Sequence, residues 1–255
     1  MSVRRIVSKA AARVRQMLEH LFRRRRGAAR NQSQSEAEAA KSLALPDDLQ
    51  DGRAWDRYWK AHLGHGFGPQ LFDMFTDDCL LIEVMRRDHL RSVLCVGNGI
   101  SIEPRALAAA GFSVVALDIS AVANAVARQA PVSDDDIARI IGRRGHAEGG
   151  SVEFVTGDIM DPTVCKGPYD VIVERRTAQN YDDAGMATFL TALADRLATP
   201  GILVSHCHDG DWRPGSEPRH ATRDWFRENK WVVWEGSLVA GPTRKHVAWL
   251  FTSTG

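Results

Sequence analysis

The stretch "RSVLCVGNGISIEPRALAAAGFSVVALDIS", residues 91–120, decides the fold. Val93 to Val96 form a short apolar run fit for a buried strand. Gly97 and Gly99 permit a tight turn, Glu103 and Pro104 fall where a helix begins, and Gly111 where it ends. A second strand then closes on Asp118, twenty-one residues after Gly97. In such a unit the backbone turn approaches a nucleoside and the strand-end carboxylate accepts both ribose hydroxyls. A glycine turn without a ligand is the plain alternative for Gly97 and Gly99 alone. Asp118 at this distance favours the nucleoside.

The rest of the chain repeats this grammar. "SVLCVG", "SVVALD", "VEFVTG", "YDVIVE" and "GILVSH" read as strands, and "EPRALAAAG", "SAVANAVARQ" and "DAGMATFLTALADRLA" as helices between them. Strands separated by helix-length segments predict a parallel sheet. "KWVVWEG" and "KHVAWLFT" have no helix between them and predict an antiparallel pair. The expected fold is therefore α/β: a doubly wound, mostly parallel seven-stranded sheet ending in an antiparallel C-terminal hairpin. "AWDRYWKAHLG" and "PQLFDMFTDDCLLIEVMRR" predict two further helices ahead of the sheet. Residues 47–255 read as one domain, with 47–90 a helical lid and 91–255 the α/β core.

The N-terminal 46 residues differ from the rest. Val3, Ile6, Val7, Ala10, Val14, Leu18, Leu21 and Phe22 recur at helical spacing, with arginines between them. Residues 1–30 hold ten Lys and Arg and a single acid, Glu19, for a net +9, while the remainder carries −8. A basic amphipathic helix is expected there, able to meet an anionic surface, nucleic acid or a partner groove, or to act as a targeting sequence. Residues 27–46 are small and polar and read as a linker. The negative balance of residues 31–255 excludes nucleic-acid binding by the whole body. Cys79, Cys95, Cys165 and Cys207 form no CxxC pair and are expected as reduced thiols of a cytoplasmic protein. No apolar run reaches the length of a membrane span.

The ligand is narrowed by what the loop lacks. A dinucleotide site wants a third small residue near position 102 and helix amides free for a pyrophosphate. Ile102 and the acidic Glu103 oppose both, which disfavours an NAD(P)-dependent oxidoreductase. S-adenosylmethionine has a ribose and no phosphate, and its sulfonium and ammonium suit carbonyls, carboxylates and aromatic faces. Asn98 lies between the two glycines, and Ile119 follows Asp118. Asp158 ends the third strand where it suits an exocyclic adenine amine, with Ile159 beside the base.

Residues 55 to 251 resemble the class I S-adenosylmethionine-dependent methyltransferases in the ordered pattern "VLCVGNG", "LDIS" and "GD". Within that family the chain looks most like the thiopurine methyltransferase-related branch. The W-x3-W of Trp55 and Trp59, followed by Gly64 and Phe67, and the Glu174-Arg175 pair closing the fourth strand carry that likeness. The resemblance implies a cofactor site of Gly97, Asn98, Gly99, Asp118, Ile119, Asp158, Ile159 and Trp59. It also implies a small-molecule acceptor over the fourth strand, with Glu174 and Arg175 catalytic and Arg176, Gln179, Tyr181 and His206 lining the pocket. A carboxylate there suits proton removal from the acceptor, and arginines suit an anionic one. Two departures concern the methionine end. Cys95 stands where the family usually has an acid, and Ser101 replaces the last glycine of G-x-G-x-G. They keep open a non-catalytic methyltransferase-like module that binds through the basic N-terminal helix. The Asn/Asp-Pro-Pro-aromatic run common in enzymes acting on amides or base amines is missing, which disfavours DNA or glutamine as acceptor. His206, Cys207, His208 and Asp209 form a weaker metal-like pattern with no further ligand cluster, and no metal is expected.

Overall fold

The computed structural model describes residues 45–69, 85, 89–141, 149–175, 177–209, 232–239 and 245–252. The basic segment 1–30 and most of the linker lie outside the described residues, as does nearly all of the predicted helix over 69–87. Seven strands form one sheet: β1 (Ser92–Val96), β2 (Ser113–Asp118), β3 (Ser151–Thr156), β4 (Tyr169–Arg175), β5 (Leu197–Asp209), β6 (Val232–Val239) and β7 (Lys245–Thr252). The helices are α1 (Gly52–Gly64), α2 (Glu103–Ala109), α3 (Ala121–Gln129), α4 (Asp134–Ile141) and α5 (Asp183–Ala194), with a 3-10 turn at Ala178–Asn180.

The strand order is β3-β2-β1-β4-β5-β7-β6. The pairs among β1 to β5 are parallel, and β7 runs antiparallel to both β5 and β6. The expected architecture, parallel sheet and terminal hairpin together, is the one observed. The chain leaves β1 toward β2 on one side, and β4 lies on the other. Ligand crevices form at such a reversal, beyond the carboxyl ends of the strands.

Both faces of the sheet are covered, which is why its strands read as apolar runs rather than alternating ones. Val93, Cys95, Val114, Val171, Val173, Ile202 and Val204 pack on one face with Ala106, Leu107 and Phe112. Leu94, Val96, Leu117, Ile172 and Leu203 pack on the other with Met186, Phe189, Leu190 and Leu193. Successive residues of β1 thus serve opposite layers, as a strand's period of two requires.

Three details differ from expectation. The helix predicted over 183–198 stops at Ala194, and Leu197 already belongs to β5. Arg196 turns the chain there, its guanidinium donating to the carbonyls of Asp161, Val164, Cys165 and Ala192. The strand read as "GILVSH" runs on to Asp209 because β7 pairs with it from Ile202 to Asp209. Cys207 to Asp209 therefore also belong to the strand. Helix α4 was not expected. Its start is a reciprocal cap, in which the Ser133 amide and hydroxyl donate to the Asp136 carboxylate and the Asp136 amide donates to Ser133 Oγ.

Candidate active site

The glycine loop leaves β1 still tied to β2, with the Gly97 amide donating to the Leu117 carbonyl at 2.8 Å. Gly97 and Gly99 adopt φ values of +64° and +52°. A Cβ at Gly97 would collide with the Thr177 side chain, and one at Gly99 would lie 2.7 Å from the Trp59 ring. Both glycines are therefore required twice, by backbone conformation and by crowding. Asp118 closes the loop from β2: its Oδ2 accepts from the Gly99 amide at 2.7 Å and its Oδ1 from the Ser120 amide at 2.8 Å. Burial pushes the Asp118 carboxyl up to about 6, the two amides pull against that, and the nearby Asp56 adds to the rise. Asn98 is buried between the glycines. Its Nδ2 donates to the Gly99 carbonyl, while its Oδ1 has no hydrogen-bond partner among the described residues. Ser101 is not a vacant substitute for glycine: one residue ahead of Ile102, the N-cap of α2, its Oγ accepts from the Glu103 amide at 3.1 Å.

Helix α1 lies across this loop. Asp51 caps it, and Gly52 at its start comes so close to the Ile119 carbonyl that a Cβ would stand 2.7 Å from it. Asp56 Oδ1 accepts from Ser120 Oγ at 2.7 Å and from the Val122 amide at 3.0 Å, locking α1 to the first turn of α3. The two tryptophans of the W-x3-W pattern have separate tasks. Trp59 stands on Gly99, while Trp55 Nε1 donates to the Leu49 carbonyl at 2.9 Å and pins segment 45–50. Tyr58, His62 and Phe67 continue the aromatic packing, and burial lowers the His62 pKa.

A second group sits beyond β4. Glu174 is fully buried, where Oε2 accepts from the amides of Thr177 and Ala178 and Oε1 accepts from Ser205 Oγ. Burial raises its carboxyl to about 7 against those donors. Tyr181 stacks on Phe189 with ring centroids 5.3 Å apart. Burial raises its hydroxyl pKa, and the charges of Asp158 and then Glu174 raise it further. Asp158 Oδ1 accepts from the Met160 amide, and Ile159 is buried in the core layer beneath. Tyr181 also forms part of the wall of a cleft of about 670 Å³ between segment 45–50 and residues 180–182. Segment 45–50, read as the junction of linker and lid, is the part of this cleft that the sequence did not reveal.

The cofactor group expected from the sequence is brought together. Trp59, Gly97, Asn98, Gly99, Asp118 and Ile119 meet around one loop, and Asp158 and Ile159 follow the next strand. Glu174, expected as a catalytic base facing the acceptor, is instead enclosed, with three donors around its carboxylate. Arg176 and the side chains of Arg175, Gln179 and His206 lie outside the described residues. The described residues include no helix able to cross a membrane and no group of three or more His, Cys, Asp or Glu able to hold a metal.

No family model matches the chain, and no curated protein matches it in sequence. Solved structures do. One comes from work on the conversion of a disulfide bond into a thioacetal group during echinomycin biosynthesis. It is 17% identical, covers 79% of this chain and 93% of its own, and superposes with a TM-score of 0.53. Another is magnesium protoporphyrin IX methyltransferase from Synechocystis PCC 6803 with bound SAH. It is 18% identical, covers 86% and 95% of the two chains, and has a TM-score of 0.50. At these identities the likeness establishes the architecture alone: the chain has the Rossmann-like fold of class I S-adenosylmethionine-dependent methyltransferases.

Proposed function

We propose that this protein is an S-adenosylmethionine-dependent methyltransferase acting on a small-molecule acceptor. The observation that carries the reading is the Gly99 amide held by the buried Asp118 carboxylate at the reversal of strand order. The residues present suit the cofactor. A carboxylate offers about four acceptor positions, so Asp118 retains acceptor capacity for the ribose hydroxyls after binding two amides. The loop has the two glycines a close backbone approach needs, and Asn98 Oδ1 offers a buried acceptor.

When bound, S-adenosylmethionine supplies a methyl group on a sulfonium, and the protein's part is to orient the reactants. Asp118 holds the ribose, Asp158 the adenine amine, and Ile119 and Ile159 flank the base. Trp59 closes the loop from above. Tyr181 meets the acceptor from the cleft wall, and Glu174 acts through Tyr181 and the 177–178 turn as a positioning residue. Arg175, Arg176, Gln179 and His206 complete the acceptor side. The test is transfer of a labelled methyl from S-adenosylmethionine to a mixture of small thiol, amine and hydroxyl acceptors. Labelled product supports the reading, whereas cofactor binding with no transfer to any acceptor points to a binding module.

A pH prediction follows from two raised carboxyls. Asp118 and Glu174 hold protons more tightly in the folded protein, with values of about 6 and about 7 against ordinary values of 3.8 and 4.5. Folding therefore takes up protons between roughly pH 4 and 7, and the contribution of these groups to stability falls as the pH rises through that window. Cofactor affinity moves the other way, since protonating Asp118 below about 6 removes an acceptor for the ribose. Denaturant unfolding and ligand calorimetry at pH 5 and 7.5 check the opposed signs. Affinity that strengthens toward pH 5 contradicts the role of Asp118.

A further inference from the structure

The acids assigned to the ribose and to the adenine amine leave the sheet from different strands, Asp118 at the end of β2 and Asp158 just past β3. Their separation depends on how the carboxyl end of β3 is held. β3 is the edge of the sheet, with β2 its one strand neighbour among the described residues. The backbone pairing ends where Asp118 faces Thr156, and the Gly157 amide then donates to the Asp118 carbonyl at 3.1 Å. Helix α3 adds a second hold through two side chains one turn apart. Asn124 Nδ2 donates to the Val155 carbonyl at 2.8 Å and to Thr156 Oγ1 at 3.1 Å, and reaches the Asp118 carbonyl at 3.4 Å. Arg128 donates to the Phe154 carbonyl at 3.0 Å, with its guanidinium 5.6 Å from the centre of the Phe154 ring. Residues four apart share one face of a helix, so α3 presents a row of donors to β3.

We propose that Asn124 is a positioning residue: it fixes the end of β3 against β2, and so sets the offset of Asp158 from Asp118 on which a preference for adenine depends. The inference rests on the cofactor reading above and deepens it. The connection between the two acids is continuous. Asp118 Oδ1 accepts from the Ser120 amide, and Ser120 Oγ caps α3 by accepting from the Ala123 amide at 3.1 Å. The next residue, Asn124, then grips Val155 and Thr156, two residues ahead of Asp158. Asn124 is 2% exposed, and its Oδ1 is buried with no partner among the described residues. A buried acceptor without a donor carries a penalty that an apolar side chain would avoid. Position 124 accepts that penalty, so what it requires is the amide's NH2, the one end able to face two carbonyls. Arg128 grips Phe154, further from Asp158, and supports the strand without placing that acid.

The test is calorimetry on the 255-residue chain with two ligands: S-adenosylhomocysteine, and S-inosylhomocysteine, in which an oxygen replaces the exocyclic amine. Wild type should prefer S-adenosylhomocysteine by about 10-fold or more, as one charge-assisted contact implies. Asn124→Ala should shrink that preference about 3- to 10-fold, within the range of coupling between neighbouring groups. Asn124→Asp keeps the shape and removes the donor, and should shrink it as far. With Asp158→Ala already present, Asn124→Ala should change the preference by less than about twofold, because the contact through which it acts is gone. Arg128→Ala should lower the melting temperature and leave the preference within about twofold. Retained S-inosylhomocysteine binding shows that a variant is folded. An unchanged preference in both Asn124 variants, equal weakening of the two ligands, or as large a shrinkage in Arg128→Ala overturns the assignment. Loss of the fold in both Asn124 variants overturns it as well, since the residue is then a determinant of the fold. Wild type that binds both ligands equally removes Asp158 from the adenine, and this inference with it, while the cofactor site stands. Wild type that binds neither overturns the cofactor reading itself.

Discussion

Replacing Asp118 with alanine lowers affinity for S-adenosylmethionine by about 10- to 150-fold, the equivalent of roughly 1.5–3 kcal/mol for lost contacts to a charged acceptor. The loss has two sources. Ribose hydroxyls lose their acceptor, and the amides of Gly99 and Ser120 lose theirs. The second matters because those amides hold the glycine loop in its binding shape. This change weakens S-adenosylhomocysteine and 5′-methylthioadenosine together, since both carry the ribose. Calorimetry with the two ligands checks it. Affinity equal to wild type would place the nucleoside elsewhere.

Arg196→Ala has the largest expected effect on stability. Arg196 is 5% exposed, and its guanidinium donates to four backbone carbonyls, of which that of Asp161 also accepts from the Val164 amide at 3.1 Å. At about 1 kcal/mol for each acceptor left without its donor, the variant loses about 3 kcal/mol. For a domain of this size that lowers the melting temperature by about 8–12 °C. Arg196→Lys should recover only part, because one ammonium cannot span acceptors on both the 161–165 loop and α5. Asp161, Val164 and Cys165 lie just past Asp158 and Ile159, so the variant should also loosen the adenine side of the site. Thermal unfolding followed by circular dichroism measures the first effect. A shift of less than about 2 °C would mean that the carbonyls find other donors.

The parts that sequence reveals are those whose cause is local. The β1 turn, α2 and the end of β2 lie within thirty residues, and the glycines, Pro104 and Asp118 each act on neighbours in the chain. The hairpin was legible for the same reason, since too few residues separate β6 from β7 for a helix. Helix α4 carried a readable Ser133-x-x-Asp136 cap that the acidic run around it obscured. Other features have causes distant in sequence. Trp59 faces Gly99 across forty residues, and Trp55 pins Leu49 so that a wall forms opposite Tyr181. Glu174 reads as a catalytic base from its place at the end of β4; only the approach of Ser205 from β5 and the 177–178 turn shows it enclosed. Arg196 likewise reads as a surface arginine, because its carbonyl partners come from a loop thirty residues earlier and from the preceding helix. Cys95 and Ser101, read as departures, acquire reasons once α2 is in place: one fills an apolar layer and the other accepts the first amide of the helix.

The measurement that bears most directly on the central claim is calorimetric titration of the folded 255-residue chain with S-adenosylmethionine and S-adenosylhomocysteine. The site around Gly97, Gly99 and Asp118 predicts saturable binding of each at one site per chain, with Asp118→Ala weakened toward both. No binding of either ligand at millimolar concentration, by a protein shown by circular dichroism to be folded, would contradict it.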